Sequence, residues 1–438
     1  MSTSTHGSGR LRAAASGIAG LLLIGSAATP AHAESIRSRQ WYLTVMKAEQ
    51  MWETSTGEGI TVAVIDSGVD ADIADLQGQV LPGRDDAPER PGDEHTDYDG
   101  HGTTMALLIA GTGRANGGQG TFGLAPGAKI LPIRLPWVED ANLRSKEFNA
   151  NLSKGIRHAA DAGAQVINIA SGSFKGSDQL TAAVKYALDK GSLIFASTGN
   201  DGTSDVGFPV STPGVVGVAA IGRNLHRTSE SNFGPYVDVA APGDEMYHAC
   251  PNGIDLCRSH GTSDATAIAS ASAALIWAEH PDWTNNQVLR VMLNTIGGPT
   301  SGAKRTDAIG YGLVRPRVAL KDPGDPGPAD VYPLPDFKQA ETPPPKPSAP
   351  TSPEPSGSRS PAKDEDKAAP AATGGDDGGV DSTVWIAAGV GGAVLAAAVP
   401  AGLAVRRRRA AAAASSQVTA AAPGPGNRPS GGGTTWRP

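Results

Sequence analysis

Four short, unbroken apolar runs limit the fold of this chain more than any other feature. They are Ile60-Thr-Val-Ala-Val-Ile65, Val166-Ile-Asn-Ile169, Leu193-Ile-Phe-Ala196 and Val215-Val-Gly-Val-Ala-Ala-Ile221. A strand with one wet face alternates apolar and polar residues. These runs do not alternate, so each is expected to be buried on both faces, as in a parallel sheet covered by helices. Helical candidates lie between them at 149–162 and 179–189, followed by the stop signals Gly163 and Gly191. Strand alternating with helix indicates an α/β class with a mostly parallel central sheet.

This pattern occupies about residues 35–320, and both flanks differ from it. Residues 1–33 have the form of an export signal: Arg10 and Arg12, an apolar stretch from Ala13 to Ala28, then Ala31-His32-Ala33 as a small-x-small cleavage site. An uncleaved anchor helix is the alternative. Residues 34–56 read as an N-terminal extension and 57–322 as the folded domain. Residues 323–382 read as a linker, extended where proline is dense (Pro343 to Pro355) and loose at Gly374–Gly379. From 383 to 405 comes an apolar span. Val384 to Val405 carries no charge, and a helix of that length would reach roughly 33 Å, enough for a bilayer core. Trp385 stands at one end and Arg406-Arg-Arg-Arg409 at the other, so the basic tail 406–438 is expected to stay cytoplasmic and the folded domain to face outward. A buried soluble helix is the alternative.

The net charge of −7 supplies no basic footprint, which argues against nucleic acid as a partner. Cys250 and Cys257 are the two cysteines of the chain. In an exported protein a close pair invites a disulfide; two free thiols are the alternative, and a metal site needs more ligands than they offer. No cofactor or metal site is expected.

Three short motifs carry chemistry. Val64-Ile65-Asp66-Ser67-Gly68 places an acid just past a buried strand, where open α/β sheets bind ligands. By itself such an Asp could equally be a helix cap or metal ligand. Asp99-Gly100-His101-Gly102-Thr103 puts an imidazole between glycines at the start of an apolar helix, though a surface-loop His is the favoured reading of that motif alone. Gly261-Thr262-Ser263-Asp264-Ala265 leads into a helix of small residues, where Ser263 is either an N-cap or a nucleophile. Together they form a set. A serine hydroxyl needs a base to take its proton, and the base needs an acid to hold it.

These motifs resemble those of the subtilisin family of serine proteases. The resemblance implies that Asp66 orients His101, that His101 is general base and then general acid, and that Ser263 attacks the scissile carbonyl of a polypeptide substrate. In Ala196-Ser-Thr-Gly199-Asn200-Asp-Gly202 it implies that Asn200 donates to the oxyanion, although Asn-Asp-Gly also makes a good turn. It further implies that Ala170, Ser171 and Gly172 pair with substrate backbone, with Ala196, Ser197 and Thr198 lining the cleft beside them. Gly123-Leu-Ala-Pro126 and Ala240-Ala-Pro-Gly243 resemble recurrent turns of the same scaffold.

The mycosins resemble this chain more closely. They are membrane-anchored subtilisin-like proteases associated with type VII secretion in actinobacteria, and they share its signal, linker and C-terminal helix; Arg39-Gln-Trp-Tyr-Leu43 and Met51-Trp52 also look like theirs. This implies a type VII secretion membrane complex as partner. Asp264 and Ile268 depart from subtilisin usage, and Asp264 puts a carboxylate beside the nucleophile. The stretch before the first strand leaves no room for a large prodomain, so 34–56 is expected either to be dispensable for folding or to pack on the enzyme. No calcium-loop signature is present. A structural role in a secretion apparatus is the competing function; a carbohydrate-binding role has little support at 5% aromatic residues.

Overall fold

The structure, a computed structural model, describes residues 1–3, 35–136, 141–250 and 255–337, with backbone only at 141–144. The expected export signal, the proline-dense part of the linker, the apolar span and the basic tail lie outside the described residues. Among the described residues, no helix is long and apolar enough to cross a membrane.

Eight strands form one parallel sheet in the order β10-β7-β6-β5-β4-β1-β3-β2. They are β1 (Thr61–Asp66), β2 (Arg84–Asp85), β3 (Lys129–Arg134), β4 (Val166–Ile169), β5 (Leu193–Ser197), β6 (Val215–Ile221), β7 (Val239–Pro242) and β10 (Gly312–Leu313). The four runs expected to be strands are β1, β4, β5 and β6. All seven residues of β6 are buried, as the unbroken apolar pattern requires. β8 (Met246–Ala249) and β9 (Leu256–Ser259) form a separate antiparallel hairpin, and the Cys250–Cys257 disulfide joins them.

Three short helices, α1 (Ile36–Arg39), α2 (Trp41–Met46) and α3 (Ala48–Trp52), bind the N-terminal extension to the domain. Tyr42 and Leu43 are fully buried. The Trp41 indole donates to the Asp244 carbonyl and the Trp52 indole to that of Leu124, each at 2.9 Å. The extension therefore packs on the domain.

The larger helices are α4 (His101–Ala110), α5 (Ala141–Asp161), α6 (Asp178–Asp189), α7 (Thr262–Glu279), α8 (Asn285–Asn294) and α9 (Pro316–Lys321). The Ser177 hydroxyl caps α6 by accepting from Leu180 N, and Thr284 with Gln287 forms a capping box on α8. Helix α7 is buried on all sides and packs against β4 to β7 and α4. It can do so because Ala265, Ala267, Ala269, Ala271, Ala273 and Ala274 let its backbone come close. Ala269→Leu would overpack this contact, at a cost of about 1–3 kcal/mol. A polar tie crosses it: Ser270 Oγ donates to Asn168 Oδ1 of β4 at 3.1 Å.

The domain does not end at 322. Residues 323–337, expected to belong to the linker, lie on the body. Tyr332 is buried and donates to the Gly214 carbonyl at 2.9 Å, Leu334 is buried, and the Asp336 carboxylate accepts from Gly214 N at 3.0 Å. Arg290 and Gln287 of α8 donate to carbonyls of Pro326, Gly327 and Pro328. These side-chain partners come from remote elements, which is why a Pro/Gly-rich segment could be mistaken for linker.

Candidate active site

The site forms at the carboxyl ends of β1, β4 and β5, where a parallel sheet leaves side chains free beyond its last hydrogen bonds. Asp66 is the last residue of β1, and His101 is the first of α4. His101 Nδ1 lies 2.8 Å from Asp66 Oδ1. The same oxygen accepts from Ser67 N at 2.8 Å, while Asp66 Oδ2 is buried with no partner. Burial opposes the charge on Asp66, but the neighbouring imidazole outweighs it and holds the carboxyl below its ordinary range. The carboxylate in turn pushes His101 well above 6.5, with smaller contributions from Asp264 and Asp99. The imidazole is 39% exposed, so water screens part of this attraction.

Ser263 stands in the first turn of α7 and is 9% exposed. Its hydroxyl donates to the Ala170 carbonyl at 3.0 Å rather than to His101. Thus the structure joins Asp66 to His101 directly, while Ser263 meets Ala170, which lines the same cavity as Asp66 and His101.

Asn200 follows β5. Its Oδ1 accepts from Thr262 N at 2.9 Å and from Thr262 Oγ1 at 3.0 Å. A backbone N–H can only donate, so this contact fixes the amide orientation and leaves Nδ2 as the free donor beside Ser263. Gly261 makes room for it. A Cβ there would lie 2.8 Å from Asn200 Nδ2, and its φ of +129° is one that L side chains rarely adopt.

Two adjoining cavities of about 450 Å³ and 180 Å³ share Ala170, Ser171 and Gly172 as lining. These three residues follow β4 past its last ladder pair. Ser197 and Thr198 line the smaller cavity with Asn200 and Ser263. Ala196, expected with them, is fully buried between β4 and β6 and lines neither cavity. A strand with both faces covered offers side chains only at or past its last residue. Leu135, Phe148 and the 75% exposed Phe174 line the larger cavity. No motif marked them, because they come from three separate segments.

Asp264 is buried under the start of α7, where it accepts from Ser259 Oγ at 2.5 Å. Burial pushes its carboxyl up to about 6. Among the described residues, no three His, Cys, Asp or Glu side chains are grouped to hold a metal ion.

The chain is similar to several known proteases. Thermitase from Thermoactinomyces vulgaris is 36% identical over 241 residues, covering 55% of this chain and 82% of thermitase. Subtilisin BL from Lederbergia lenta is 30% identical over 266 residues, covering 61% and 92%. The crystal structure of MycP1 from Mycobacterium smegmatis superposes with a TM-score of 0.58 at 28% identity, covering 69% of this chain and 89% of that one. MycP3 protease from the type VII (ESX-3) secretion system superposes with a TM-score of 0.55 at 32% identity, covering 64% and 87%. Residues 57–313 match the Subtilase family, Peptidase_S8. An acid, an imidazole and a serine at the ends of these strands, on a chain so matched over most of its folded part, make it a member of the subtilase family and a subtilisin-like serine endopeptidase.

Proposed function

We propose that Asp66, His101 and Ser263 form the catalytic triad and that Asn200 is the oxyanion donor. The observation that carries this is the 2.8 Å contact of His101 with Asp66 beside a serine at a helix N-terminus. Substrate backbone lies along Ala170–Gly172 as an added strand. As it enters, the Ser263 hydroxyl leaves the Ala170 carbonyl and turns to His101 Nε2. Oγ attacks the scissile carbonyl carbon and its proton passes to Nε2. Asp66 keeps Nδ1 protonated and stabilises the imidazolium, and its unpartnered Oδ2 adds to the negative field there. Negative charge on the carbonyl oxygen is met by Asn200 Nδ2 and by the Ser263 N–H, one of the amides that a helix start leaves without an internal acceptor. The intermediate collapses as Nε2 gives its proton to the departing amine, leaving an acyl-Ser263. Water, deprotonated by His101, attacks that ester and releases the acid.

The same proposal places the enzyme at a cell membrane, held by a helix at Val384–Val405 with its catalytic domain outside, in the service of type VII secretion. The likeness to MycP1 and MycP3 supports this reading, as does the apolar span with four arginines behind it. Two experiments test it. The protein should sediment with membranes and be digested by protease added to intact cells. A deletion strain should regain secretion with the wild-type gene and not with Ser263→Ala; recovery with Ser263→Ala would favour a structural role in the secretion complex.

A further inference from the structure

Asp97 has no place in the chemistry above, yet its carboxylate is among the most heavily hydrogen-bonded groups near the site. Oδ1 accepts from Ser67 Oγ at 2.8 Å, Gly100 N at 2.8 Å and Asp99 N at 3.1 Å. Oδ2 accepts from Thr103 N at 2.7 Å and Thr103 Oγ1 at 2.6 Å. Two of these donors, Gly100 N and Thr103 N, flank His101 and belong to the start of α4, where amides have no internal acceptor. A third, Ser67 Oγ, belongs to the residue after Asp66 and accepts from Gly102 N at 3.0 Å. One carboxylate thus ties the strand end that carries the acid to the helix start that carries the base.

The fit between these two segments leaves no slack. A Cβ on Gly102 would lie 2.1 Å from the Gly68 carbonyl oxygen and 3.1 Å from Asp66 Cβ. Thr103 Oγ1 also accepts from Asp70 N at 2.9 Å, which adds a second tie between the same segments. Asp97 is itself held from β3. The fully buried guanidinium of Arg134 donates to the carbonyls of Asp93 and Arg90, at 2.5 Å and 2.9 Å, and so fixes the loop that leads to Asp97. Asp97 lines neither cavity of the cleft.

We propose that Asp97 is a positioning residue for catalysis: it clamps the start of α4 to the end of β1, and so sets the Asp66–His101 contact without touching substrate. The proposal rests on the triad reading. It separates from a general role in stability because it acts on one hydrogen bond, whose proton can be observed.

The test uses the full-length protein and the variants Asp97→Asn and Thr103→Val. Asn keeps one acceptor but turns an amide N–H toward groups that also donate. Three readouts are taken: the downfield proton resonance of His101 Nδ1–H, the pH dependence of kcat, and kcat against KM for a short peptide. Asp97→Asn is expected to shift or broaden the downfield resonance and to move the acid limb of kcat toward 6.5. It should lower kcat roughly 10- to 100-fold, the scale of a displacement of about 1 Å in a catalytic group, with KM little changed. Thr103→Val, which keeps the backbone donor, should show the same changes more weakly. If Asp97→Asn leaves the resonance and the acid limb at their wild-type positions, the proposal is overturned, even if stability falls. If that variant does not fold, Thr103→Val decides by the same two readouts. A wild-type protein with neither the resonance nor peptidase activity would instead refute the triad reading beneath the proposal.

Discussion

Gly261→Ala tests whether Asn200, the proposed oxyanion donor, is held in position by the close approach of residue 261. The added methyl carbon would lie 2.8 Å from Asn200 Nδ2 and 3.1 Å from its Oδ1, on a backbone with φ +129° and ψ −178°. Real methyl groups do not approach so closely, so one side must move. Backbone strain alone costs about 1–3 kcal/mol and should appear as lower thermal stability. On the catalytic side, displacing Asn200 forfeits the donor. Loss of one such donor costs about 2.7–4 kcal/mol, or roughly 100- to 1,000-fold in kcat, a magnitude known from the corresponding Asn of subtilisin itself. The assay is a double-mutant cycle on a peptide substrate with Gly261→Ala, Asn200→Ala and both together. Asn200→Ala should reach the full loss with little change in KM. Gly261→Ala should approach that loss, and the double variant should be scarcely worse than Asn200→Ala, because the second change removes nothing further. Additive losses would show that the glycine acts on something other than Asn200, such as the placing of Ser263, and would refute the reasoning.

Other expectations follow from the same contacts. In the proposed triad His101 must be neutral to accept the Ser263 proton, and Asp66 raises its pKa from 6.5 toward about 9, so activity should climb with pH across that interval. Asp66→Asn should move this limb downward and lower kcat roughly 10⁴-fold; an unmoved limb in a pH–rate profile would contradict the assignment. Ending the chain after residue 322 instead of 337 removes Tyr332 and Leu334 from the body, each worth about 1.5–3 kcal/mol, so urea melts of the two should differ in midpoint. Reducing Cys250–Cys257 opens a short loop and should cost about 2–3 kcal/mol, read as a fall in Tm with dithiothreitol.

The sheet was readable where strands are apolar throughout and hidden where they are not. Val166–Ile169 and Val215–Ile221 coincide with β4 and β6 to the residue. β3 escaped notice because its run begins at Lys129, contains Pro132 and ends at Arg134, and only the folded chain shows that the buried Arg134 finds its carbonyl partners in the loop before α4. The site divides in the same way. Asp66, His101, Ser263 and Asn200 stand in short local motifs, and the fold brings them to one end of the sheet. Ala196 was misplaced by one residue of strand: its burial is set by β4 and β6 on either side, which a local motif does not record. Asp97 is four residues before His101 and has the look of an ordinary helix-start acid; its link to Ser67 depends on packing across a separation of 30 residues.

The most direct test of the central claim is covalent. The folded full-length protein should react with a fluorophosphonate, and peptide mass spectrometry should place the adduct on Ser263, with Asp66→Asn labelled far more slowly and Ser263→Ala not at all. A folded protein that stays unlabelled, or carries the adduct on another residue while Ser263 remains free, would contradict the account.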